Sequence, residues 1–327
     1  MGKVHEDLRA LARSDEAWAQ GQRELARIVS EWRALPHVAP VLTALDRFGR
    51  GTALEACAPL AALFGADGDP AGAFVDALMT RGVTALADLP LGQMPFRHAH
   101  RQEADTLLLA HSGTATLALA VYDGESLRRQ PEPRTVQFAP MEVWWRVLSG
   151  GGRAERIACP APSLLPGPLL PGTPVELRPG TVLHRDGARE AIQVRGVEGS
   201  LVILRLQRLA SLHEPVRAFA LADGALQGQS APTAEFNRLE LAMAVLVGLG
   251  RQDAVPVLSR IAHGTGPAAL RWQALRAILA MDTRAGLVLL GAMAAGEDGD
   301  LAQPARDLHR ALVAQWPELE KVAQWRG

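Results

Sequence analysis

Pro95-Phe96-Arg97-His98-Ala99-His100-Arg101-Gln102-Glu103-Ala104-Asp105 is followed by the apolar run Thr106 to Ala110 and a turn at Ser112-Gly113. Side chains alternate across a strand, so two histidines one residue apart on an extended segment point the same way. His98 and His100 are thus a candidate chelate. A carboxylate a few residues on, Glu103 or Asp105, would complete two nitrogens and an oxygen. That donor set suits zinc, iron, nickel or manganese according to geometry and supply. On this reading the stretch opens a β-region, and the chain to either side of it has a different texture.

Toward the N-terminus, residues 1–87 read as a helical part. Leu8, Leu11, Trp18, Leu25, Ile28, Val29 and Trp32 recur with a period near 3.6, with Glu and Arg between them. Ser14-Asp15-Glu16 is a candidate cap, and Pro36 and Pro40 close the pattern. Shorter periodic pieces follow at Val41 to Phe48, Thr52 to Phe64 and Ala71 to Met79. They are divided by Gly49-Arg50-Gly51 and by Gly65-Ala66-Asp67-Gly68-Asp69-Pro70.

From 88 to 227 the chain offers short runs of Val, Leu, Ile and Thr separated by Gly and Pro, the signature of an antiparallel β-barrel or sandwich. Strands are expected near 94–101, 105–111, 115–122, 134–138, 142–148, 154–158, 174–178, 190–195, 200–206 and 216–221. Val197-Glu198-Gly199-Ser200 reads as a hairpin turn, and Ser149-Gly150-Gly151-Gly152 as a hairpin loop. Trp144 and Trp145 must face opposite sides of their strand. His111 is placed at a strand end on the side of Asp105, and Arg97 and Arg101 face away from the histidines. The proline-rich piece from Pro160 to Pro174 reads as a long surface connection or lid.

From 231 to 327 the pattern is helical again and nearly repeats. Leu258 to His263 sets against Leu290 to Ala295, and Arg271 to Leu279 against Pro304 to Leu312, an offset of 32 to 33 residues. This resembles HEAT-like α-helical repeats, in which stacked helix pairs bury a shared face. Such a segment is a candidate surface for a protein partner or for a homodimer. Arg271, Trp272, Arg276 and Trp316 are its candidate anchors, since Trp and Arg are enriched in binding hot spots. Trp272, Trp316 and Trp325 are most simply packing residues.

The central stretch resembles the first motif of the cupin family, which reads Gly, five residues, His-x-His, three or four residues, Glu, six residues, Gly. Here Gly92, His98, His100 and Gly113 follow that order, with Asp105 at the Glu position and Gly113 one residue late. Gly172, Pro179, Gly180 and His184 echo the second motif with shifted spacing, and Ala188 stands where the family has Asn. The resemblance implies an α+β chain with a central cupin-like antiparallel β-barrel. It also implies a divalent metal ion (Fe, Zn, Mn or Ni) held by His98, His100, Asp105 and His184, and a small-molecule ligand in the barrel. Two functions follow from it: a metal-dependent enzyme of dioxygenase or isomerase type, or a metal or ligand sensor. The alternative is a non-catalytic regulatory or interaction module whose barrel motifs have degenerated and whose helical part docks a partner.

Composition narrows the field further. The 327 residues carry a formal charge of -1 and are 48% apolar, with a pI near 6.8. Apolar content is ample for sizeable cores, and charge balance argues against nucleic acid or an anionic membrane as partner. Lysine occurs only at Lys3 and Lys321. Cys57 and Cys159 form no C-x-x-C pair, which excludes a disulfide framework or a cysteine-only zinc site. Met1 to Asp7 has mixed charge and no following apolar core, unlike a signal peptide, and no apolar run approaches the ~18 residues of a membrane span. A cytoplasmic protein is expected. Motifs of P-loop, dinucleotide-binding, serine-hydrolase and H-E-x-x-H zinc enzymes are missing from the sequence.

Overall fold

The computed structural model describes residues 8–9, 11–12, 14–89, 91–100, 104–159, 170–296 and 301–319. Arg101, Glu103, Trp325, Met1 to Asp7 and most of the proline-rich piece, 160–169, lie outside the described residues. The chain is mixed α+β, with helices toward both ends and antiparallel strands between. It divides into two compact units, Met1–Ala210 with Phe219–Leu226, and Ser211–Ala218 with Gln227–Gly327. Among the described residues no helix is long and apolar enough to cross a membrane.

The first unit begins with helices α1 (Glu16–Arg33), α2 (Ala39–Gly49), α3 (Ala58–Ala62) and α4 (Pro70–Asp88). Asp69 caps α4 by accepting from Gly72 N at 3.0 Å, with Pro70 at the first turn. The strands among the described residues are β1 (Arg97–His100), β2 (Asp105–Ser112), β3 (Ala115–Asp123), β4 (Thr135–Phe138), β5 (Met141–Ala158), β6 (Gly172–Leu177), β7 (Val182–Asp186), β8 (Glu190–Leu209), β9 (Val216–Ala220) and β10 (Leu226–Ser230), the last two divided between the units. A short helix, α5 (Gly124–Arg129), follows β3. The larger sheet has the order β1-β2-β3-β8-β5-β6, with β7 also paired to β5, and every pairing is antiparallel. A smaller sheet has the order β10-β9-β4, and Phe138 meets Phe219 edge to face at 5.8 Å.

Two expected hairpin turns are in fact bends within long strands. Ser149 to Gly152 lies inside β5 and Val197 to Ser200 inside β8, and the two pair with each other, Gly151 opposite Glu198 and Ser149 opposite Val202. Register shifts at Val147/Ser149 and Ser149/Gly151 mark β-bulges, which bend a strand and raise its twist. Gly150 (φ 82°), Gly199 (φ 69°) and Gly180 (φ 86°), between β6 and β7, stand in adjacent chains at this bend. Glycine marks a turn and a bulge alike, so local composition does not separate the two.

The bend is large. β7 ends with Asp186 beside Glu142, and β8 begins with Glu190 beside Ala158. A turn at 187–189 therefore joins the two ends of β5, which would stand about 50 Å apart on a straight strand. Gly187 N donates to Met141 O and Cys159 N to Arg189 O, tying both ends to this turn. The sheet is thus strongly curled, and the pairings of its described strands run from β1 through β2, β3, β8 and β5 to β6 and β7.

Curling gives the sheet two unlike faces. The outer face carries Leu117, Leu119, Trp144, Leu204 and Leu206, which pack with Trp32, Phe48, Phe74 and Leu78 of the helices. Phe48 meets Trp144 edge to face at 5.5 Å, and the Arg208 guanidinium lies 4.2 Å over the Phe48 ring. Arg208 also donates to Thr52 O at 2.8 Å and to Glu142. The inner face carries Ala120, Tyr122, Val143, Trp145, Val147, Ala154, Leu177, Val197, Leu201 and Ile203 as one buried cluster. Trp144 and Trp145 fall on opposite faces, as alternation requires.

The second unit contains α6 (Ala234–Gly248), α7 (Val255–His263), α8 (Ala268–Met281), α9 (Thr283–Ala295) and α10 (Ala302–Gln315). The near-repeat in sequence falls on α7 and α9 and on α8 and α10. Leu258, Ala262, Leu270, Ala274, Leu275, Ile278, Leu287 and Leu290 make its core. Leu241, Val245 and Leu249, at spacing four along α6 and its cap, are 68%, 59% and 68% exposed.

Candidate functional site

The register of β1 with β2 puts His98 opposite Leu107 and His100 opposite Asp105. Leu107 pairs in turn with Leu119, so both histidines and Asp105 belong to the outer face. Asp105 Oδ1 lies 2.6 Å from His100 Nδ1 and 3.6 Å from His98 Nε2, and all three side chains are at least half exposed. Two donors sharing a tetrahedral ion at ~2.1 Å each would stand about 3.4 Å apart. The 2.6 Å contact is a hydrogen bond.

His184 joins a different neighbourhood. It sits on β7 opposite Trp144 and stacks on that ring at 4.5 Å, 17° from parallel, with β2, β3, β8 and β5 between it and β1 in the strand order. The expected four ligands do not converge. Among the described residues no group of three or more His, Cys, Asp or Glu side chains is placed to hold a metal ion, and in this arrangement the donors present do not fit a shared divalent ion. His111 departs from expectation too. A bulge between Leu108 and Ala110 reverses the alternation, so His111 pairs with Thr116 and leaves the side of Asp105.

The inner face holds the better-built polar cluster. Ala118 pairs with Arg205, Arg205 with Trp145, and Trp145 with Leu183, a continuous row across β3, β8, β5 and β7. One step along the sheet, Val143 pairs with Arg185. Directly opposed residues share a face, and diagonal neighbours such as Trp145 and Arg185 stand within reach of long side chains. Arg185 Nη1 donates to Glu190 O at 2.9 Å, and Arg156 Nη1 donates to Glu190 Oε2 at 2.8 Å. Burial pushes the Arg185 guanidinium down to about 10. Tyr122 and Glu190 counter that shift, while Arg205 and Arg156 add to it. Arg185 is still a cation at neutral pH.

Among the described residues, Arg185 Nε and Trp145 Nε1 of this cluster are sealed from solvent and meet no hydrogen-bond acceptor. Buried polar groups in native proteins are nearly always hydrogen bonded, and one left bare costs about 1–3 kcal/mol. None of Arg185, Arg205 and Tyr122 stands out in the sequence as a site residue. The one signal is Arg205 itself, a charge inside the apolar run Leu201 to Leu206.

No family model matches the chain, and no curated protein does. Among solved structures it is similar over part of its length to HutD from Pseudomonas fluorescens SBW25, at 11% identity and a TM-score of 0.24, covering 35% of this chain and 56% of that one. KdgF from Halomonas sp. aligns at 15% identity and a TM-score of 0.25, covering 34% and 87% respectively. The Drosophila melanogaster CENP-C cupin domain aligns at 11% and 0.27, covering 39% and 96%. This chain spans just over half the length of the HutD structure.

Proposed function

We propose that the central sheet is a cupin-like fold that binds a small molecule on its inner face. The observation that carries this reading is the pair of sealed, acceptor-less donors, Arg185 Nε and Trp145 Nε1, in a row that also contains the short side chain of Ala118. A ligand supplying acceptors there would remove a standing cost and gain apolar contact with Val143, Val147 and Ile203. Thermal melting of the full chain against a chemically diverse set of small metabolites is the test. A compound that binds only the folded state at a hundred times its Kd adds about 2.7 kcal/mol of stability. That shift is expected in wild type and not in Ala118→Leu, whose larger side chain projects from the inner face opposite Arg205.

A second reading rests on α6, where Leu241, Val245 and Leu249 form an exposed apolar stripe. Here the HEAT-like part docks a protein partner or a second copy of the chain. If no compound shifts the melt, while the chain sediments above its 34.9 kDa monomer mass and returns to it in Val245→Asp, the interaction reading replaces the ligand reading.

Elemental analysis of protein prepared without a histidine tag, for Fe, Zn, Mn and Ni, tests the outer-face donors His98, His100 and Asp105, since the Nδ1 contact of His100 with Asp105 leaves its Nε2 free. Stoichiometric metal that disappears in the His98→Ala, His100→Ala double variant would reinstate a metal centre on the outer face.

A further inference from the structure

We infer that the inner face receives the carboxylate of a small organic acid, with Arg185 and Trp145 as its donors; this rests on the ligand-binding reading above and specifies the ligand's chemical class. The charge balance inside the curl points to an anion. Arg205 and Arg156 act on Arg185 there, opposed by Tyr122 and Glu190, and Glu190 is the carboxylate in that set. Glu190 is already used, its side chain accepting from Arg156 and its backbone carbonyl from Arg185 Nη1. Among the described residues the Nε–H of Arg185 is thereby left as a cationic donor without an acceptor, and the indole N–H of Trp145, its diagonal neighbour, as a neutral one.

A guanidinium presents parallel N–H bonds along one edge that match the two oxygens of a carboxylate, and such charge-assisted bonds are about twice as strong as neutral ones. The walls set the rest of the ligand. Val143, Val147, Leu183 and Ile203 surround the row with apolar surface, which suits an acid with a hydrocarbon or aromatic body. A phosphate monoester would bring close to two charges, and inorganic phosphate is therefore the competing anion in the test. An anion seated on Arg185 would also offset the desolvation that now weakens its charge.

Isothermal titration of the full chain with benzoate, butyrate, benzamide, butyramide and inorganic phosphate tests this. The acids are expected to bind at least about tenfold more tightly than their amides, a difference of about 1.4 kcal/mol. Arg185→Met removes the charge and its N–H donors, so it should erase most of that preference while leaving amide affinity in place. Trp145→Phe, which removes the indole N–H and shortens the ring system, should weaken the acids more than the amides, and it carries the test if the arginine variant does not fold. Acids and amides that bind alike, or phosphate that binds more tightly than either acid, would overturn the inference while leaving ligand binding on the inner face intact. If none of the five binds although the metabolite screen gives a ligand abolished by Ala118→Leu, the carboxylate assignment alone falls. If the screen gives no such ligand, the underlying reading falls with it.

Discussion

Gly150→Ala is expected to cost about 3 kcal/mol or more of folding stability and to abolish ligand binding on the inner face. A Cβ at Gly150 would lie 1.9 Å from Ser200 O and 3.0 Å from Leu201 Cα, and the backbone there has φ 82°. Ser200 and Leu201 are backbone of the paired strand, so nothing flexible can move aside. Relief requires β5 and β8 to separate at the bulge, which is where the sheet bends to bring the β7–β8 turn across both ends of β5. Gly151→Ala is the matched control. A Cβ there meets nothing closer than 3.7 Å and needs no left-handed backbone, so its effect should stay within about 0.5 kcal/mol. Urea denaturation of both variants decides the matter, and equal costs for the two would mean that the bend does not depend on Gly150.

The next largest effect is expected at Arg146. It stands on the outer face at 4% exposure, the buried charged residue among those described. Its Nη1 donates to Gly65 O, its Nη2 to Gly68 O at 3.0 Å, and Asp69 lies 3.7 Å away. One side chain of β5 thus pins the loop that leads into the N-terminus of α4. Arg146→Met keeps the apolar stem and removes the donors, leaving two backbone carbonyls to find water or go bare. The expected loss is about 3 kcal/mol, with faster hydrogen exchange in the 65–69 loop. Arg81→Met breaks an ion pair with Glu31 whose side chains are 52% and 43% exposed, and should cost less than about 1 kcal/mol. A loss at Arg146 no larger than at Arg81 would show that the loop holds itself.

The sequence by itself determined the features that depend on neighbours a few residues apart. A 3.6-residue period foretold the helices before and after the strands in the chain, and a two-residue period foretold most strands and the opposed directions of Trp144 and Trp145. It also put His98 and His100 on one side of their strand, where they are. Short polar pieces escaped it. β7, with Arg185 and Asp186, and β10, with Gln227 and Gln229, carry too little alternation to read as strands.

Only the tertiary structure decided which side of each strand is inside. That choice rests on pairings between residues 40 to 90 positions apart, such as Ala118 with Arg205 and Trp145 with Arg205, and on bulges that reverse the alternation partway along β2. With those pairings in place, His98, His100 and Asp105 fall on the outer face and His184 is drawn away to Trp144. Arg185 and Arg205, which look like surface arginines in the sequence, turn into the curl. Local chemistry sets how side chains alternate along a strand, but burial is a property of the closed surface that distant strands make together.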